Sequence, residues 1–264
     1  MKPVSTLGPE HNVRDSTAQG GRASGVPTVQ LDAPAATHIG WDEHQTLLEA
    51  GREIEECYRV LEKAELNVVA DVLRGEGEFV EMEHYPHEDA LDPETQSQYY
   101  YHAHRGDPNE HGHFHTFIRT GALPRPLRPP TRQVAAGPQG ADAIVHLVGI
   151  SMDDWGYPRG LFCTNRWVCG ETWYPAASLI DLLPHFIMDH AYPSWPANRW
   201  ITALLRLFAP HVRVLLRHRD ATVKTWQRAI PKLDVLEDRR LEITGYLPIS
   251  VHDWLAQLND TSLD

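Results

Sequence analysis

The sequence predicts an α+β fold, a small antiparallel sheet of two β-hairpins packed against three or more helices. Three observations predict it. From Glu43 to Leu73 there is no proline, and Leu47, Leu48, Ile54, Tyr58, Leu61, Ala64, Val68, Val69 and Val72 recur at helical steps. Two pairs of β-prone runs, 98–104 with 113–120 and 143–152 with 161–173, are each joined by a turn-forming segment. Two further runs, 176–190 and 196–229, read as helices, the first with Pro184 as a candidate start of a new segment and the second interrupted or kinked at Pro210.

The elements follow in order. Residues 1–40, rich in Gly, Ser, Thr and Pro, read as a disordered segment, and 41–264 as one α+β domain. Asp42 is the expected cap of a helix over 43–74, which Gly75 and Gly77 end. GEFVEMEHY at 77–85 reads as a strand and 86–96 as a loop. After the first hairpin, the Pro- and Gly-rich 121–140 reads as a long loop. A short helix over 250–258, capped by Ser250, ends the chain.

Composition limits the function classes. The chain has 264 residues, with 24 Lys+Arg against 36 Asp+Glu, for a net charge of −12. That balance argues against a nucleic-acid partner, because a phosphate backbone attracts a basic surface. Three cysteines without a CxxC make no disulfide framework, and no apolar run reaches membrane-spanning length. These features, with no secretory signal pattern, lead to the expectation of a cytoplasmic protein. Charge is also segregated, with 17 acidic and 4 basic residues over 42–94 but 8 basic and 1 acidic over 195–232. Packing of the acidic helix on the basic one accounts for this; an anionic ligand on the basic helix is the alternative.

The 16 histidines carry the most information. Five of them lie in YYYHAHRGDPNEHGHFH, where His-x-His occurs twice, at His102/His104 and His113/His115. Alternate strand residues share a face. If the loop 105–112 closes symmetrically, His104 opposes His113 and His102 opposes His115, so four imidazoles share one patch. Tyr99, Tyr101, Phe114, Thr116 and Ile118 then form the core face. Four crowded imidazoles suit a divalent metal, and iron, copper and zinc all accept neutral nitrogen. Haem ligation is the alternative. Glu110 is a candidate catalytic carboxylate or an orienter of a ligand, and His111 beside it a candidate for the same outer role.

The runs SQYYYHAHRGDPNEHGHFHTFIR and HLVGISMDDWGYPRGLFCTNRWVCGETW resemble an uncharacterised bacterial family of unknown function carrying an EHGHFHTF-type motif. The resemblance implies that the two hairpins belong to one unit, and it implies no activity.

Other candidates are weaker. His146, in phase with Val148 and Ile150, reads as a core histidine, or as a further ligand if its strand lies beside the first hairpin. Arg166 reads either as a catalytic residue holding a substrate carboxylate or as the partner of a buried acid. His185 with Asp189 and His190, and Glu83 with His84, read mainly as surface groups. No Walker loop, GxGxxG, GxSxG or HExxH is present. The expected function is a mononuclear metalloenzyme built on His102, His104, His113 and His115. Its expected chemistry is iron- or copper-dependent oxidation of a small-molecule substrate. The alternatives are a non-catalytic haem- or metal-binding protein and a zinc hydrolase or lyase with Glu110 as base.

Overall fold

A computed structural model describes residues 31–104, 108–120 and 142–261. Within them the fold is α+β, with seven α-helices and one six-stranded antiparallel sheet in the order β1-β2-β3-β4-β5-β6. The strands are β1 (Tyr85–Leu91), β2 (Ser97–His102), β3 (Gly112–Arg119), β4 (Ile144–Met152), β5 (Pro158–Thr164) and β6 (Ile243–Pro248). The helices are α1 (Trp41–Glu62), α2 (Val68–Leu73), α3 (Arg166–Cys169), α4 (Ala176–Leu182), α5 (Trp195–Leu207), α6 (Ala209–Ala229) and α7 (Val251–Thr261). The expected 121–140 loop and the first 30 residues lie outside the described residues. Ala36, in a 3-10 turn, is buried against the core.

The two expected hairpins are the middle of a longer meander. The expected strand 77–85 is replaced by turns, because Gly77 and Met82 take φ of 90° and 72°, in the left-handed region. The strand instead runs over Tyr85–Leu91, within the segment expected as a loop, and its Pro86 is tolerated because β1 is an edge strand. β6 occupies the opposite edge and was not legible, since Gly245 and Pro248 interrupt its pattern. Gly245 is required there, because a Cβ would lie 2.6 Å from the His218 ring.

The expected 43–74 helix is two helices. Glu65 takes φ 57° and ends α1, and the Asn67 side chain accepts from Ala70 N at 2.8 Å to start α2. The N-cap of α1 is Gly40, not Asp42, which lies in the first turn. The expected strand to Trp173 ends at Thr164, where Asn165 starts α3 by accepting from Arg166 N and donates to Val235 O at 2.7 Å. α4 stops at Leu182 and passes into a 3-10 turn at Pro184. Ser250 caps α7 as expected, its hydroxyl accepting from Asp253 N at 3.2 Å.

One face of the sheet packs on the helices. Tyr99, Tyr101, Phe114, Ile118, Val145, Val148, Ile150 and Leu161 join Trp200, Leu204, Leu215 and Leu216 in the main core. Tyr99 donates to Asn198 Oδ1 of α5 at 2.7 Å, locking sheet to helix. α1 packs outside α5, and the acidic and basic stretches meet there. Arg199 pairs with Glu53 at 2.6 Å, and Arg213 with Glu43. Helix-to-helix packing thus accounts for at least part of the segregated charge.

A buried histidine away from the sheet gives a pH-dependent term. His211 of α6 is buried against the rings of Trp254 (4.5 Å between centroids) and Phe208 (5.0 Å). Burial pushes its imidazole down from 6.5 to about 4. The unfolded chain therefore takes up a proton between pH 6.5 and 4 that the folded chain refuses. Stability from this group is complete above pH 6.5 and falls with pH, by about 2 kcal/mol at pH 5. Urea titrations at pH 7.5 and pH 5 are expected to show a smaller loss in His211→Phe than in the wild type by that amount.

Candidate metal centre

The histidine face is the side of the sheet opposite the core formed with α5 and α6, and the short α3 carries Cys169 over it. Strands β2 and β3 pair with Gln98 opposite Phe117, Tyr100 opposite His115 and His102 opposite His113. This corrects the expected register by two residues. Because β2 ends at His102 while β3 begins at Gly112, the connection is not symmetric about the two motifs. Gly112 permits this close turn, since a Cβ there would lie 2.6 Å from His102 O. An even shift preserves the face, so the imidazoles still gather on one side.

Three of them form a compact set. The rings of His102 and His113 lie 4.5 Å apart, His102 and His104 4.8 Å, and His104 and His113 5.0 Å. One ligand nitrogen from each lies within 4.8 Å of the others. His102 and His113 are buried and His104, just past the end of β2, is half-buried. Glu110 sits behind this set. Its Oε1 accepts from His113 Nδ1 at 2.7 Å, and its Oε2 accepts from the Ser151 hydroxyl of β4. Fixing Nδ1 in this way orients the ring and leaves Nε2 as the nitrogen that could hold a metal, the usual role of a carboxylate behind a metal-bound histidine. Glu110→Ala is expected to weaken metal binding by about 10- to 100-fold, and Glu110→Gln by less, as read by competition with a chromogenic chelator.

The fourth expected ligand, His115, belongs to a neighbouring set with His146 and Cys169. His115 Nδ1 lies 3.0 Å from His146 Nε2 and 3.7 Å from Cys169 Sγ. The sequence phase placed His146 with Val148 and Ile150, and the structure corrects this. A β-bulge puts Thr116 opposite Val148 but Phe117 opposite His146, so Leu147 is the extra residue. Val148 and Ile150 stay on the helix side, while His146 turns to the histidine face. The freed His146 N–H donates to Glu171 Oε2 at 2.9 Å. Glu171 is fully buried, and desolvation pushes its carboxyl up to about 7 against the pull of Arg219.

The remaining candidates lie as follows. Tyr100 packs between the rings of His84 (3.6 Å, stacked) and His115 (5.2 Å), and burial, with Cys169 beside it, raises its phenol. Arg119, Gln98, Asp89 and His84 form a hydrogen-bonded chain at this end of the face. Phe162 closes the floor, edge-on to His113 and His115. Gly149 makes room for it, since a Cβ would lie 2.1 Å from the ring. His111 is on the opposite side, with Nδ1 2.6 Å from Tyr101 OH, and not behind the cluster as expected. Arg166 is tied to Glu237 at 2.7 Å and Asp234 at 3.1 Å, anchoring the helix that carries Cys169. Asp189 N–H donates to Asp92, His190 bonds the Tyr192 backbone, and His185 lies in the 3-10 turn after α4. Cys169 and Glu171 carried no sequence signal, because their partners are 54 and 25 residues away.

Together these features define an α+β protein with histidine-rich groups on one sheet face that can hold a metal. The chain belongs to the family described as Domain of unknown function (DUF6969), whose family model matches residues 48–249. That span includes all six strands and both donor groups. No curated protein and no solved structure matches the chain. Among the described residues, no helix is long and apolar enough to cross a membrane.

Proposed function

We propose that this protein is a metalloenzyme in which His102, His104 and His113 hold one divalent transition metal, iron or copper, and oxidise a small molecule there. The observation that carries the reading is the set of three imidazoles with donor atoms within 4.8 Å, backed by the Glu110 carboxylate. Three neutral nitrogens leave coordination positions open for substrate and oxidant. Glu110 is already engaged by His113 and Ser151, which favours an orienting role over that of a free base for zinc hydrolysis. Rings packed edge-on at 4.5–5.0 Å favour a bare ion over haem, whose macrocycle needs a slot between its axial ligands. Tyr100 and Phe162, both buried, pack edge-on to the rings of His102 and His113 and give the group an apolar surround.

The test is to load the full chain anaerobically with Fe(II), Cu(II) or Zn(II), then admit air and follow dioxygen uptake with a panel of small reductants. Uptake by the iron- or copper-loaded chain, absent with zinc and in His104→Ala, is the expected result. Equal uptake by the wild type and His104→Ala would overturn it, as would failure to retain any of the three metals.

A further inference from the structure

The second donor group suggests more than a supporting wall for the first. We infer that His115, His146 and Cys169 form a separate binding site for a thiophilic divalent cation, so that the sheet face carries two metals side by side. The inference stands on residues other than His102, His104 and His113, and each reading can fail alone.

The donor geometry is the first argument. A tetrahedral ion with bonds of about 2.0–2.1 Å to nitrogen and about 2.3 Å to sulfur sets two nitrogens about 3.3 Å apart, and nitrogen and sulfur about 3.6 Å apart. Here His115 Nδ1 lies 3.0 Å from His146 Nε2 and 3.7 Å from Cys169 Sγ, with all three donors within 4.8 Å of one another. The two spacings from His115 Nδ1 lie within a few tenths of an ångström of those of one coordination tetrahedron, and the third, between His146 and Cys169, is at most 4.8 Å. Donor type is the second argument. A thiolate beside two imidazoles prefers zinc, cobalt or copper over the hard oxygen-seeking cations.

The fold builds this group against the simple alternation of β4. Without the bulge at Leu147, His146 would oppose Ile118 and enter the helix-side core. The bulge instead delivers Nε2 to His115, and Glu171 takes up the backbone N–H at that turn of the strand. Thr164 Oγ1 lies 3.4 Å from His146 Nδ1, so the other ring nitrogen has a partner that fixes the ring. α3 brings Cys169 over the sheet, and Arg166 at its start is held by Glu237 and Asp234. Of the three cysteines, Cys57 and Cys163 are buried in the main core with thiols pushed up to about 12, and Cys169 alone meets histidine nitrogen. Binding would displace the Cys169 thiol proton to solvent and leave a metal thiolate.

The rings of His113 and His115 are 5.1 Å apart, and those of His102 and His115 5.2 Å, so the two groups share a wall. The experiment titrates the full chain with Co(II) alone, following bound cobalt per chain and the near-ultraviolet thiolate-to-cobalt charge-transfer band. Two cobalt ions per chain and a thiolate band are expected. Cys169→Ser, nearly isosteric, should abolish the band and leave one ion, while His104→Ala should leave one ion with the band intact. A single ion lost in His104→Ala, with no thiolate band in the wild type, would overturn the second site and leave the first standing. A single ion with a thiolate band that His104→Ala does not affect would support the second site and overturn the first. The wild-type band reads the inference without any variant, so misfolding of a variant cannot obscure it.

Discussion

His113→Ala is expected to abolish stoichiometric metal binding at the three-histidine group, lowering affinity by at least about 100-fold. A partner behind a ligand is worth 10- to 100-fold, and His113 is the proposed ligand itself. Elemental analysis after dialysis against a weak chelator reads this directly. The substitution also removes from the buried Glu110 carboxylate the Nδ1–H donor at 2.7 Å. A buried acceptor without its donor costs about 1–3 kcal/mol. Two effects are therefore mixed in that one variant. His104→Ala separates them, because His104 is half-buried at a strand end and its removal empties no core position. If both variants lose metal and His104→Ala keeps its unfolding midpoint, the loss belongs to coordination. If His104→Ala retains full metal content, the group coordinates through other atoms and the proposed centre is wrong.

What the sequence carried and what it hid follow from the same physics. The face on which the imidazoles gather was legible, because strand alternation is local and survives an even register error. His102, His113 and His115 share that face whether the register sum places His104 or His102 opposite His113. The register itself was not legible. It depends on an asymmetric connection that Gly112 permits by close approach to His102 O, a contact no spacing rule encodes. The bulge at Leu147 hid His146 more thoroughly. In sequence, His146, Val148 and Ile150 alternate as one face, and only pairing with β3 reveals the extra residue. The polar pair Asn165–Arg166 interrupts the run 161–173 that reads as a strand. The interruption marks the start of α3, with Asn165 as cap and Arg166 as anchor, and that short helix delivers Cys169. The strand at one edge was misplaced and the strand at the other was not expected, for a shared reason. β1 contains Pro86, and β6 contains Gly245 and Pro248, residues that an edge accepts and a sequence pattern counts against.

The two faces of the sheet divide the work, and Trp200→Ala tests that division from the other side. Trp200 is fully buried on α5. It lies 6.0 Å from the Phe114 ring of β3 and 6.5 Å from Tyr58 of α1, so it joins the sheet, α5 and α1 in one contact. Truncating a buried tryptophan removes its apolar burial and leaves a cavity that a three-layer contact closes poorly, at a cost of about 3–5 kcal/mol. That is a large share of the 5–15 kcal/mol that holds a typical domain. Chemical denaturation is expected to show the drop in midpoint with little change in slope. The proposed metal sites should not register it while the chain remains folded. Phe114 neighbours His113 and His115 along β3, but its side chain points to the helices while theirs point away. The rings of Tyr100, Phe117 and Phe162, which contact the histidines, lie outside the main core. Metal stoichiometry of folded Trp200→Ala should therefore equal that of the wild type. A proportionate loss of metal would mean that the helix-side core sets the spacing of the imidazoles through the strands. The histidine face would then be strained into place by the core, and the separation of stability from chemistry would fail.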